Sequence, residues 1–437
     1  MLEGFANAGR IPELRRRLLF TLGMLAVYRI VVAIPTPGID SQALAEFFEQ
    51  MNNSMLGMVN LLSGGALEQF SIAALGVMPY ISASIILQLM TVVVPHLERL
   101  SKEGEVGRRK ITQYTRYGTV VLAIIQGFFI SVGLEKLQSP GGAPIVYDPG
   151  YAFRLMSIIT LAAGTSFLMW VGEQISERGI GNGISMLIFG GIVATLPSAV
   201  LTTVQFVREG EMGILLLAAL AVMMVGIVGV IIYVERAQRR IPVQYAKRVV
   251  GRRMYGGQSS HLPLKLNTAG VIPPIFASSL LVFPATIAQF VEHPWARSAS
   301  ELLTNGGLLY DVVFVALVIF FCYFYTAVTF NTSDVAENMK KFGGFIPGIR
   351  PGPRTAEYID RVLSRITLVG ALYISAVCVL PTILIQQVNV PFYFGGTALL
   401  IVVGVALDTV AQIETHILTR NYQGFMRRGR LRGRRAT

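Results

Sequence analysis

Ten long runs of apolar residues, parted by polar connections, set the pattern of this chain. They fall at about 18–36, 72–94, 117–134, 155–171, 184–204, 212–234, 267–290, 309–330, 367–388 and 396–418. Each approaches the roughly 20 residues that a helix needs to cross the hydrocarbon layer of a bilayer, so the pattern predicts ten membrane-spanning helices. The fifth is the weakest, being rich in glycine and interrupted by Pro197. One place breaks the rhythm. The stretch "MLGMVNLLSGGALEQFSIAALGVMPYISASIILQL", residues 55–89, begins apolar, breaks at Ser63, Gly64 and Gly65, turns polar at Glu68 and Gln69, and is apolar again past Pro79. Its first piece is too short to span, and its two glycines can turn the chain back without strain.

Composition agrees with a membrane protein. The 437 residues are 53% hydrophobic and 14% charged, where a soluble chain carries roughly a quarter charged residues. Forty-four glycines and twenty prolines suit helices that pack closely and bend, because neighbouring helices re-satisfy the backbone groups a proline frees. The start, "RIPELRRRLLFTLGMLAVYRIVVAIP", has the basic-then-apolar order of a signal peptide. No small-x-small cleavage site follows it and nine more apolar segments do, so it reads as an uncleaved first span. The last residues, 419–437, read as disordered.

Charge tests the count of ten. With a cytoplasmic N-terminus, Lys and Arg should crowd both tails and every second connection. Residues 1–17 hold four, 96–116 six, 172–183 one, 235–265 eight, 331–365 six and 419–437 seven, which is 32 of the 37 basic residues. The connection 37–71 holds none. An odd number of spans would scramble this segregation, so the expectation is ten helices with both ends cytoplasmic. Ten also divides into two halves of five, 18–204 and 205–418, which permits an inverted repeat.

Several kinds of chemistry are missing. The third, fifth, sixth, seventh and ninth apolar runs contain no Asp, Glu, Lys, Arg or His, whereas membrane enzymes and ion-coupled carriers bury such groups because they work. His96, His261, His293 and His416 are scattered through connections and span ends. Cys322 and Cys378 lie inside apolar runs and offer neither a disulfide framework nor metal-ligand spacing, and no metal site or cofactor is expected. Asp408, deep in the tenth run, is best read as a packing or partner hydrogen bond. Arg29 sits near the outer end of the first run, where its stem can snorkel to the interface. "GIGNGIS" at 179–185 imitates a phosphate-binding glycine loop but opens a membrane helix with no preceding strand.

Three stretches carry a resemblance: "LLSGGALEQFSIAALGVMPYISASIILQLM" (61–90), "GEQISERGIGNGISMLIFGGIVATLP" (172–197) and "KKFGGFIPGIRPGPRTAEYIDRVLSRIT" (340–367). They resemble the SecY family, the channel-forming subunits of the bacterial protein translocon, and the likeness runs along essentially the whole chain. It implies an all-α polytopic fold: ten transmembrane helices in two pseudo-symmetric five-helix halves around a central pore. The half-length apolar piece becomes a plug at about 55–67, carrying Met58, Val59, Leu61, Leu62, Gly64 and Gly65, that folds back into the channel from outside.

By motif position the resemblance also implies a constriction of six aliphatic side chains: Val77, Ile81, Ile184, Ile188, Ile275 and Ile401. Without it these would pass for ordinary core or lipid-facing residues, although the pairs 77/81 and 184/188 each stack on one helix face. Val77 stands where many relatives carry isoleucine, one methylene less, which leaves the seal intact. An apolar ring suits a pore through which every side-chain type must pass, since it binds none strongly and excludes water by dewetting when empty. A lateral gate between spans two and three on one side and seven and eight on the other would release apolar segments into lipid. Ser82, Ser84, Gln88, Ser278 and Ser279 suit such a weakly closed seam, although small-residue helix packing explains each equally well.

The connections 235–265 and 331–365 are longer than topology requires, and basic. The resemblance implies docking there: Arg252 and Arg253 for the ribosome, Arg350 for the SecA ATPase and for ribosome-linked translocation. SecE and SecG are the implied membrane partners, and signal sequences, nascent polypeptides and membrane lipid the implied contacts of the channel. The basic tail suits anionic lipid or RNA. The implied location is a prokaryotic plasma membrane, with no covalent chemistry performed. Two rivals remain: a secondary transporter of a small solute, which requires broken helices converging on ionisable groups at midplane, and a membrane anchor or ribosome receptor without a pore.

Overall fold

The computed structural model describes residues 11–50, 60, 63–137, 142, 144–210, 213–245, 248–250, 253–255, 259–290, 308–388 and 396–432. Helices stand at all ten predicted places. The first five spans are Pro12–Val32, Met78–Val93, Glu105–Lys136, Tyr151–Arg178 and Gly183–Arg208. The last five are Ile214–Arg236, Ile272–Phe290, Leu308–Thr329, Pro353–Val388 and Gly396–Arg432. Among the described residues seven helices cross a membrane by length and composition alone, or eight if a bent pair counts as one span. The first falls outside that group because it opens on Arg15, Arg16 and Arg17, and the described apolar part of the seventh, Ile272–Leu281, is short.

Local chemistry explains where the helices depart from the apolar runs. The second run begins near residue 72, but the helix begins at Met78. Residues 66–77 are turns interrupted by a β-bridge from Ser71 to Pro35, and Pro79 sits in the first helical turn where its missing N–H costs nothing. At the far end Pro95 pushes Val94 into an extended conformation (φ −97°, ψ 113°). A short helix, Pro95–Lys102, then leaves at 100° to the span. The third helix starts at Glu105, well before its apolar run, and brings Arg108, Arg109, Lys110 and Arg116 with it. There the Arg116 Nε lies 2.8 Å from Glu173 on the fourth helix. Pro197 is carried inside the fifth helix without interrupting it, as packed membrane helices allow. The predicted disordered tail is corrected: the tenth helix runs on to Arg432. Gln, Met, Leu and Arg in "NYQGFMRRGRLR" are good helix formers, and arginines near a helix C-terminus complement its dipole.

Small residues let the spans approach. A Cβ on Gly183 would collide with the Gly172 carbonyl, so the fourth and fifth helices touch backbone to backbone at the "GIGNG" turn. The Asn182 side chain caps the fifth helix by accepting from the Ile184 N–H (3.2 Å).

Two smaller bodies flank the bundle. On one side, helix Ser41–Gln50 packs Leu44 and Phe48 with Leu67, Phe70, Ile145 and Phe153 over the third and fourth spans. On the other, strand β1 (Gln238–Tyr245) pairs antiparallel with β4 (Ser259–Lys265), enclosing the tip strands β2 (Arg248–Val250) and β3 (Arg253–Tyr255). The other edge of β1 takes β5 (Gly344–Phe345) from the connection between the eighth and ninth spans. The two long connections are thus one body, with Ile241, Leu264, Ile346, Ile359 and Ile366 as its core.

Candidate functional site

Val77 precedes the second span, Ile81 lies one turn into it, Ile184 and Ile188 begin the fifth, and Ile275 and Ile401 lie in the seventh and tenth. Five of the six are buried in the large apolar core of the bundle, which also holds Tyr28, Phe276, Tyr310, Phe314 and Phe321, and the sixth, Ile184, packs against that core. Ile401 is 1% exposed, Ile188 4% and Ile81 5%, and Ile184 packs half-buried against the rest. None of them is turned to the lipid side. Ala66 and Ala73, from the turns before the second span, belong to the same core, so the chain just after the glycine pair is packed into the bundle.

Of the plug positions, Met58, Val59, Leu61 and Leu62 lie outside the described residues; Gly64 and Gly65 are described. Both glycines are left-handed (φ +72° and +85°), a conformation open to them in a tight turn. A Cβ on Gly64 would lie 2.8 Å from the Gly191 Cα of the fifth span and 2.9 Å from the Tyr28 hydroxyl. The reversal is held from two sides. Tyr28, 3% exposed, donates its hydroxyl to the Ser63 carbonyl (2.9 Å), and the Arg29 guanidinium donates to the Gly64 carbonyl (2.8 Å). Asn60 closes the loop internally, donating to the Glu68 carboxylate and accepting from the Glu68 N–H and, through its carbonyl, from Gly65. Arg29 therefore has a protein partner, beyond the snorkelling expected of it. Tyr28, Asn60 and Gly191 were invisible to sequence reasoning; an arginine inside an apolar run was the one available signal.

The gate residues divide into two groups. Ser278 and Ser279 are buried (2% and 4% exposed), and Ser82, Ser84 and Gln88 are half-buried. Ser278 donates back to the Ile275 carbonyl (2.9 Å) and Gln88 to Ser84 (3.3 Å), each within its own helix. Ser279 reaches across to the Met78 thioether at 3.6 Å. Three side-chain hydrogen bonds are described between the first five spans and the last five. Two of them, Ser279 to Met78 and Thr409 to Met186 (3.6 Å), end on thioethers, and the third joins the Gly181 N–H to Gln412 (2.8 Å). Thioether sulfur is a weak acceptor, so the seam is closed mainly by apolar packing.

On the body built around β1, Arg350 is exposed on a turn bracketed by Gly348 and Gly352 (φ +82° and +116°), and its carbonyl accepts from the Thr355 hydroxyl (2.9 Å). Arg253 opens β3 at the hairpin tip; Arg252 lies outside the described residues. Asp408 neighbours Glu235 and Lys265, close to the hairpin base, away from the six aliphatic residues.

This membrane bundle has the fold of protein-conducting channels. The solved structure of a protein conducting channel matches it with a TM-score of 0.65 at 17% identity, covering 93% of this chain and 96% of that one. Sec61 in the canine ribosome-channel complex from the endoplasmic reticulum matches with a TM-score of 0.61 at 16% identity over 93% and 96%. The family model for SecY covers residues 71–410. Protein translocase subunit SecY of Escherichia coli (strain K12) is 52% identical over 97% of this chain and 96% of its own, and that of Aquifex aeolicus 45% over 96% and 98%. The chain belongs to the SecY family.

Proposed function

We propose that this chain is a protein-conducting channel: it passes unfolded polypeptide across the prokaryotic plasma membrane and releases apolar segments sideways into lipid. The observation that supports the reading is membership of the SecY family, and the six expected ring residues, from both halves, are all in or against one apolar core. At rest they form the water-excluding constriction, with residues about 55–67 as the plug. The halves 18–204 and 205–418 part between spans two and three and spans seven and eight, where Ser82, Ser84, Gln88, Ser278 and Ser279 line the gate. An apolar segment that leaves there gains about 0.8 kcal/mol for each methylene buried.

Both termini lie in the cytoplasm, as the basic residues demand. The united cytoplasmic body offers Arg252 and Arg253 to the ribosome and Arg350 to the SecA motor, while SecE and SecG complete the membrane complex. The channel itself makes no covalent bond, and its driving energy comes from these partners and the membrane potential. The transporter alternative needs ionisable groups converging near midplane, whereas the core that holds the six residues is apolar, aliphatic and aromatic together. Site-specific crosslinking from position 188 to a stalled secretory precursor tests the route. Crosslinks at 188 support it; crosslinks elsewhere on the protein with none at 188 reject it.

A further inference from the structure

We infer that Arg29 and Tyr28 of the first span form a releasable latch that holds the plug in its closed seat, an inference that rests on the plug reading above. Two adjacent side chains of one helix donate to two adjacent carbonyls, Ser63 and Gly64, in the reversal that ends the plug. The opposite side of that reversal lies against Gly191, with no room for a side chain between. The Ser63–Gly64 turn therefore meets the first and fifth spans through its main chain, while the Asn60 side chain closes it internally onto Glu68.

The two donors have different surroundings. The Tyr28 hydroxyl is buried, and leaving it unpaired in a dry site is costly. Arg29 is exposed in the last turn of its helix, where the dipole favours a cation and interfacial phosphates can accept its N–H groups. When the plug leaves, Arg29 turns to the interface and Tyr28 loses its partner. The guanidinium thus sets how readily the plug is released, and the hydroxyl favours its return.

The test is the resting ion conductance of the complete reconstituted complex in planar bilayers, with no precursor present. Arg29→Gln removes a charge-assisted hydrogen bond and should raise conductance about tenfold, and Tyr28→Phe, which removes one hydroxyl, about threefold. Arg29→Lys keeps a cationic donor and should fall between wild type and Arg29→Gln. In a channel lacking residues 55–67, Arg29→Gln should add nothing, because nothing remains to latch. An equal rise from Arg29→Gln with and without the plug overturns the latch. So does a plug-deleted channel that leaks while Arg29→Gln and Tyr28→Phe stay tight. If deleting 55–67 causes no leak at all, the plug reading falls and the latch with it.

Discussion

Replacing Ile188 or Ile401 by glycine separates a constriction from a solid core. Both side chains are almost fully enclosed, 4% and 1% exposed, and each substitution deletes four carbons. In solid packing, losing a large aliphatic side chain costs about 2–5 kcal/mol. The void it leaves stays dry, since even an apolar cavity of about 150 Å³ takes up no water. Conductance would then be unchanged while stability falls. In a ring between two water-filled spaces the same four carbons are part of the barrier itself. A water molecule needs roughly 30 Å³, so their loss admits several waters and ends the dewetting that blocks ions. Ile374 on the ninth span supplies the control, being 0% exposed in the same cluster but outside the six. Melting temperature and planar-bilayer conductance are measured on all three variants. Ile188→Gly and Ile401→Gly should leak, and Ile374→Gly should only melt earlier. If all three melt earlier and none leaks, the six residues are core and the channel reasoning fails.

The seam and the docking body give two further outcomes. Met78→Cys with Ser279→Cys, joined by a short bifunctional reagent, should block membrane insertion of an apolar segment while resting conductance stays low. The native Cys322 and Cys378 are buried and should not compete for the reagent; insertion at the normal rate through the crosslinked channel would place the exit elsewhere. Arg252→Ala with Arg253→Ala should weaken ribosome binding and reduce the slope of log affinity against log salt by about 1.5, two phosphate contacts' worth. Unchanged slope would remove both arginines from the RNA contact.

The ten spans were legible because a bilayer dictates length and hydropathy, and the arginine distribution fixed their number independently. Helix ends were less legible. The second span starts six residues later than its apolar run because the turns after Gly65 are as apolar as the helix, and hydropathy does not distinguish a buried turn from a buried helix. The tail was misread because a short basic segment with three glycines looks solvated, whereas in the structure the tenth helix is already formed and continues to Arg432. The six aliphatic residues were singled out only by resemblance, since nothing in an isoleucine's spacing sets it apart from other core isoleucines. The clamp on Ser63 and Gly64 was out of reach for the same reason: its acceptors are carbonyls, which every residue possesses.

A channel of this kind must be stable as two bodies and weak between them, and the placement of its polar contacts meets both demands. Within the first five spans, contacts are of the kind that resists separation. Gly183 lies against the Gly172 backbone, Arg116 pairs with Glu173, and Arg154 of the fourth span pairs with Glu135 of the third. The last five are tied by the sheet that β5 completes and by Asn267, which donates to Glu235 at 2.6 Å. Across the seam the described side-chain hydrogen bonds are two thioether contacts and Gly181 to Gln412. In lipid, exposing an aliphatic surface to acyl chains carries no hydrophobic penalty. Parting the second span from the seventh therefore forfeits packing and a sulfur contact, and leaves Ser278 still bonded within its own helix. A seam built from groups that lipid can replace would be cheap to open sideways, and the six aliphatic residues belong to that same class.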